Sequence, residues 1–105
     1  MTKTIQSLLV LVVAVCLSIT VCFAQSGGEA TYKAKCQMCH GATGTPSAGM
    51  AKATGIKPVS DPDIRKLTAD QMFAAVKNGK GKMKPATGLT DAQIKDAVAF
   101  YRGLK

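Results

Sequence analysis

The stretch CQMCHG, residues 36–41, contains two cysteines three positions apart, Cys36 and Cys39, and places His40 directly after the second. Three kinds of site use two thiols and an imidazole packed this closely. They are a thiol redox pair, part of a zinc site, and the attachment point of a covalently bound haem. The rest of the chain decides between these three interpretations.

The first 24 residues differ from the remainder. Lys3 is their only charged residue, an apolar run extends from Leu8 to Leu17, and the segment ends at the small residue Ala24. A short basic start, an apolar stretch and a small residue are the parts of a secretory signal peptide. We therefore predict a signal peptide over residues 1–24 and one domain over residues 25–105, exported to a bacterial periplasm.

Two alternatives to a cleaved signal remain open. Residues 8–24 are just long enough for an uncleaved membrane anchor, and Cys16 or Cys22 is a conceivable site of lipid modification. Each interpretation places residues 25–105 outside the cytoplasm. Almost all of the net charge of +8 belongs to this part of the chain.

The zinc and redox interpretations fit this sequence poorly. After cleavage only Cys36 and Cys39 remain, His40 is the single histidine, and no carboxylates cluster nearby to complete four zinc ligands. A redox pair needs a helix that follows a strand, and no strand pattern precedes Cys36. A small structural disulfide between the two cysteines would stabilise little.

Covalent haem attachment accounts for every residue of the motif. The two thiols add to the vinyl groups of the porphyrin, and the adjacent imidazole binds the iron from one face. The porphyrin would also supply the core that this aromatic-poor chain lacks, since a domain of this size needs an additional stabilising element such as a metal or disulfides. We therefore predict one covalent haem c with its iron.

The pattern beyond residue 25 predicts an all-α fold. We expect a small-residue linker over 25–28, a helix over 29–38, an irregular loop over 41–60 with one turn near 48–53, and a short helical turn at 61–63.

Two later helices have clear start signals. Thr68 and Thr90 are each followed three residues later by a glutamine, Gln71 and Gln93, which matches the capping box. Gly79 is placed to end the first of these helices, and the second runs nearly to the C-terminus. No alternating strand pattern of any length is present.

The second axial ligand must be a methionine or absent, because no second histidine exists. Met38 lies between the attachment cysteines and cannot reach the opposite face of the porphyrin. Met72 has the neighbours of a core residue on a helix, and Met50 lies close to His40 in a loop of small residues. Met83 lies in the polar loop KNGKGKMKPATGLT, where an apolar thioether side chain is unexpected unless it has a function. Met83 is therefore the favoured ligand.

These residues resemble the class I c-type cytochromes, small monohaem electron carriers, over essentially all of residues 26–105. Gly28 and Tyr32 stand where that family has the glycine and aromatic residue of its N-terminal helix. Phe100 stands where its C-terminal helix packs an aromatic residue crosswise against that glycine. The stretch NGKGKMKP is similar to the family's methionine-ligand loop.

The resemblance implies a cytochrome c-like fold of three to four short helices and long loops around one haem, with Cys36 and Cys39 attached to the porphyrin. It also implies axial ligation by His40 and Met83 and one-electron transfer between respiratory redox partners. In the family a proline carbonyl orients the ligand histidine. Here both Pro46, which is close to the motif, and Pro58, which is far from it, stay open as candidates.

The charge pattern describes the expected partner. Lys80, Lys82 and Lys84 flank Met83, which predicts docking to acidic surfaces of redox proteins. The chain has no basic motif interleaved with aromatic residues, the pattern that would predict nucleic-acid binding. No arrangement of catalytic residues remains once His40 binds iron. We expect a monomeric electron carrier with no small-molecule substrate. A haem-based ligand sensor and a dedicated subunit of a larger dehydrogenase or oxidase are the alternatives.

Overall fold

The structure, a computed structural model, describes the backbone of residues 1–105 and the side chains of residues 1–14 and 27–105. Along this backbone no strand forms, and one isolated antiparallel bridge pairs Lys80 with Met83. The predicted all-α fold is confirmed, with additional single-turn helices beyond the three to four expected. The helices are α1 (Thr2–Lys35), α2 (Gln37–His40), α3 (Ala48–Thr54), α4 (Pro62–Arg65), α5 (Ala69–Asn78) and α6 (Asp91–Gly103).

Helix α1 differs from its prediction at both ends. The expected linker over 25–28 is wrong, because α1 is continuous through it. Glycine costs about 1 kcal/mol in a helix interior, and this cost is offset where Gly28 allows a close packing contact. At the other end the helix stops at Lys35, and Cys36, whose φ of −115° and ψ of −34° still lie in the right-handed helical region, separates α1 from α2.

The predicted cleavage site after Ala24 lies outside the described side chains, and so do Cys16 and Cys22. Within the part of the chain that the structure describes, no helix is both long enough and apolar enough to cross a membrane. The apolar side chains from Leu8 to Val13 are exposed. The buried residues among those described all follow Gly27.

Helix α6 organises the packing, since it lies against both α1 and α5. A Cβ atom added at Gly28 would overlap the carbonyl oxygen of Asp96 and lie 3.3 Å from the Cβ atom of Phe100. The expected packing of Phe100 against Gly28 is thus confirmed. On its other side α6 contributes Ile94 and Val98 to a cluster with Met72, so Met72 is a core residue as predicted.

The starts of α5 and α6 are built as the sequence predicts. The hydroxyls of Thr68 and Thr90 accept hydrogen bonds from the N–H groups of Gln71 and Gln93, and each glutamine side chain accepts one from the threonine N–H in return. Both are complete capping boxes. Helix α5 ends at Asn78, and the next residue, Gly79, has a φ of 81° that favours glycine.

The segment between α2 and α5 is more ordered than expected. The turn predicted near 48–53 is the two-turn helix α3, capped by Ser47 and closed by Gly55 in the left-handed conformation. Asp61 caps α4, as the predicted helical turn requires. The loop is held together where the N–H of Val59 donates to the carbonyl of Gly44 at 2.8 Å.

Candidate functional site

Cys36 lies at the break between α1 and α2, and Cys39 lies within α2. Cys36 is half-buried, Cys39 is exposed, and both are free thiols. Burial raises the pKa of the Cys36 thiol, and the neighbouring Cys39 raises it further. A redox-active pair relies on a lowered thiol pKa, so this environment argues against the redox interpretation.

His40 ends α2, and its imidazole is half-buried. Burial lowers the pKa of His40, which favours the neutral imidazole that binds metals. Its ring lies edge-on to the ring of Tyr101, with 5.4 Å between the centroids. The buried Nδ1 atom has no hydrogen-bond partner among the described residues.

This arrangement fits a covalently attached haem. Two cysteines, one of them open to solvent, lie directly before a half-buried imidazole whose buried Nδ1 atom has no partner among the described residues. Buried nitrogens are rarely left without a partner unless a further group completes the site. Neither Pro46 nor Pro58 receives a hydrogen bond from His40, so the orienting carbonyl stays a prediction. Among the residues with described side chains, no group of three or more His, Cys, Asp or Glu comes together.

Tyr32 anchors the segment that follows the motif. Its hydroxyl donates a 2.6 Å hydrogen bond to the carbonyl of Gly41, and its ring lies 5.3 Å from that of Phe100 and 6.0 Å from that of Tyr101. Burial is the main reason that the pKa of Tyr32 is raised to about 12. The sequence analysis used only the aromatic ring of Tyr32 and missed this hydrogen bond. The signal available was that a buried tyrosine needs a partner for its hydroxyl.

Gly41 completes the motif for a steric reason. Its φ is 83°, and a Cβ atom there would overlap the carbonyl oxygen of Thr45. Only glycine accepts this conformation and this contact together. The chain therefore turns sharply after His40 and leads into the loop that contains the buried Pro46.

Met83 lies at the end of a tight turn in the loop between α5 and α6. The N–H and carbonyl groups of Lys80 and Met83 form two mutual hydrogen bonds of 2.9 Å. Gly81, with φ 57°, occupies the first central position, as in a type II′ turn. A Cβ atom at Gly79 would lie 2.8 Å from the Met83 carbonyl and 2.9 Å from Cδ of Pro85. The two hydrogen bonds and the close approach at Gly79 therefore constrain the backbone that carries Met83.

The other methionines occupy different environments. Met38 is 88% exposed, and Met72 lies in the core cluster. Met50 lies in α3, where its N–H donates to Ser47 Oγ at 3.2 Å, and like Met83 it is half-buried. Axial ligation by Met83 therefore stays a prediction.

The family model described as "Cytochrome C oxidase, cbb3-type, subunit III" matches residues 24–100. The chain is 38% identical over 86 residues to cytochrome c-555 of Chlorobaculum thiosulfatiphilum, with 74% of this chain and 93% of that protein covered. The chain belongs to the c-type cytochromes. Its fold is similar to the solved structure of the KustC0563 c-type cytochrome, with a TM-score of 0.66, 26% identity and coverage of 74% of this chain and 96% of that one.

Membership of the c-type cytochromes implies a covalently bound haem c with its iron and electron transfer as the activity. The family points to an electron carrier rather than an enzyme, with redox proteins as its partners. The matched segment of this c-type cytochrome includes all four predicted site residues, Cys36, Cys39, His40 and Met83. The prediction of the cofactor is confirmed, whereas the residue roles belong to the proposal that follows.

Proposed function

We propose that this c-type cytochrome is a periplasmic one-electron carrier whose haem is attached to Cys36 and Cys39 and ligated by His40 and Met83. The observation that carries the proposal is the half-buried imidazole of His40, which lies directly after Cys36 and Cys39 and whose buried Nδ1 atom has no hydrogen-bond partner among the described residues. The bound haem supplies a single redox-active iron. The periplasmic location rests on the signal peptide predicted over residues 1–24.

The residues around the motif fix its geometry. Tyr32 holds the carbonyl of Gly41, which fixes the backbone directly after His40, and Tyr101 packs edge-on to the imidazole of His40. Packing against Tyr101 would limit the movement of the imidazole when a bound haem gains or loses an electron. Low reorganisation of this kind is what a one-electron carrier requires.

Ligation by both His40 and Met83 would leave no iron position for oxygen or a substrate. A thioether ligand raises the reduction potential relative to a second imidazole. We therefore expect a potential above that of bis-histidine haem proteins and a site closed to added ligands.

The distribution of charge supports docking by the Met83 loop. None of the ion pairs among the described residues includes a lysine of the Met83 loop. Lys80 and Lys84 are exposed and have no acidic partner among the described residues. Unneutralised lysines beside the ligand loop would steer the protein toward acidic surfaces of redox partners, with rates that fall as salt is raised. These ion pairs are Lys33–Glu29, Lys57–Asp61, Lys57–Asp63, Lys66–Asp63 and Lys77–Asp91.

The test is a visible spectrum of the purified protein in both oxidation states, with and without carbon monoxide. We expect haem c absorption and no spectral change when carbon monoxide is added to the reduced form. A large change would favour a ligand-binding sensor instead. A colourless native protein with folded helices would refute the proposal.

A second candidate function is supported by the family model, which describes an oxidase subunit. In this case the chain would relay electrons as a fixed part of a larger complex. Fractionation of the native source distinguishes the two functions. A free carrier is recovered alone from the periplasmic fraction as a monomer, whereas a subunit co-purifies with membrane-bound oxidase components.

A further inference from the structure

One lysine beside Met83 has a specific partner. The Nζ atom of Lys82 donates a 2.8 Å hydrogen bond to the carbonyl oxygen of Ala53, a residue 29 positions earlier in the chain. Ala53 lies in the last turn of α3, where backbone carbonyls have no partner within the helix. A lysine ammonium at this end both satisfies such a carbonyl and lies at the negative end of the helix.

This contact connects the two sides of the loop region. The other hydrogen bonds of the loop are internal or lead back to α5: the Lys80–Met83 pair, and the N–H of Ala86 donating to the carbonyl of Val76 at 2.9 Å. Among the hydrogen bonds and ion pairs of the described residues, the one between Lys82 and Ala53 is what joins residues 79–86 to α3.

We propose that Lys82 is a positioning residue that holds the Met83 loop against α3, and that it differs in this from its neighbours Lys80 and Lys84. The proposal rests on the proposed ligation by Met83. When Lys82 is bound to Ala53, the adjacent Met83 cannot swing away with the tip of the turn. Lys80 and Lys84 form no side-chain hydrogen bond or ion pair in the described part of the chain, which leaves them for docking.

The test compares Lys82→Gln with Lys80→Gln in the ferric holoprotein. Imidazole is titrated in while the weak far-red absorption expected of a thioether–iron pair is followed. Loss of one hydrogen bond of ordinary net strength should raise the apparent affinity for imidazole about two- to tenfold in Lys82→Gln. Lys80→Gln removes the same charge from the same turn and should stay within about twofold of the wild type. Lys82→Arg keeps a donor for the carbonyl of Ala53, so its affinity for imidazole should stay close to that of the wild type.

Equal imidazole affinities in Lys82→Gln and Lys80→Gln would overturn the positioning role, because only the charge would then matter. A second measurement separates this failure from a failure of the proposed ligation. Amide hydrogen exchange at Met83 and Ala86 should be about two- to tenfold faster in Lys82→Gln than in Lys80→Gln. If the far-red band is absent in the wild type, Met83 is not the ligand. Unchanged exchange would then still refute the role of Lys82 in holding the loop.

Discussion

The hydroxyl of Tyr32 lies 2.6 Å from the carbonyl oxygen of Gly41, which ties α1 to the residue that directly follows His40. The same tyrosine packs against Phe100 of α6. One buried side chain therefore links the helix crossing to the end of the CxxCH motif. Changes in the packing of the two helices would be transmitted to the position of the imidazole.

Replacement of this tyrosine measures the value of that link. Tyr32→Phe removes the hydrogen bond to Gly41 and keeps the ring, so the free energy of unfolding should fall by about 0.5–1.5 kcal/mol. Denaturant unfolding of the holoprotein measures the change. Tyr101→Phe is the matched control, because the Tyr101 hydroxyl forms no hydrogen bond among the described residues, and its effect should be smaller. Equal effects would show that the hydrogen bond contributes nothing.

The raised pKa of Tyr32 predicts a specific loss of stability at alkaline pH. Its pKa is about 12 in the folded protein against an ordinary value of 10.0, so between these values the unfolded state loses a proton that the folded state keeps. The stability contributed by this group is complete below pH 10 and falls as the pH rises toward 12. Unfolding measured across this range should show a steeper decline for the wild type than for Tyr32→Phe. Parallel declines would contradict the assignment.

The crossing of α1 and α6 should tolerate no side chain at Gly28. Gly28→Ala places a methyl group into the backbone carbonyl of Asp96, and the required shift should cost about 1–3 kcal/mol of unfolding free energy. Gly49→Ala is the control, since this helical glycine has nothing within 4 Å of an added Cβ atom. It should stabilise the protein by up to about 1 kcal/mol. Thermal unfolding of both variants checks the opposite signs.

The attachment residues are tested by extraction with acid. The double variant Cys36→Ser with Cys39→Ser should retain no haem in the protein pellet, because no thioether bond can form. Met38→Ala lies between the two cysteines and alters a side chain that is 88% exposed, so it should retain all of its haem. Full retention in the double variant would refute attachment at these residues.

The axial ligand is tested by a pair of methionine variants. Met83→Ala should abolish the weak far-red absorption, lower the reduction potential and allow carbon monoxide to bind the reduced form. Met50→Ala should leave all three properties unchanged. The reverse result would assign the second ligand to Met50, and the two half-buried positions are thus distinguished by one experiment.

The features predicted correctly from the residue pattern alone are local ones. The capping boxes at Thr68 and Thr90 depend on residues three positions apart, so their starts could be read directly. The linker predicted at 25–28 was wrong because its small residues suggested a break, whereas Gly28 is required by the approach of α6. That approach joins residues far apart in the chain, so it was expected from the family resemblance and not from any local pattern.

In the candidate site, too, the local features could be predicted from the sequence and the long-range contacts could not. The spacing of the cysteines and His40 predicts the cofactor without any knowledge of the fold. The partners of Tyr32 and Lys82 could not be predicted, because each hydrogen bond goes to a backbone carbonyl of another segment. A backbone carbonyl has no residue type that would mark it in the sequence.

The hydrogen bond from Ala86 to Val76 closes the base of the loop that carries Met83, and the Lys80–Met83 pair closes its tip. The ligand-bearing segment is therefore a closed hairpin whose base is fixed to α5 and which Lys82 joins to α3. The entropic cost of lengthening such a closed loop grows only slowly with each added residue. Insertions beside Gly81, or grafts of whole hairpins, would offer a way to retune the redox centre while α5 and α6 stay unaltered.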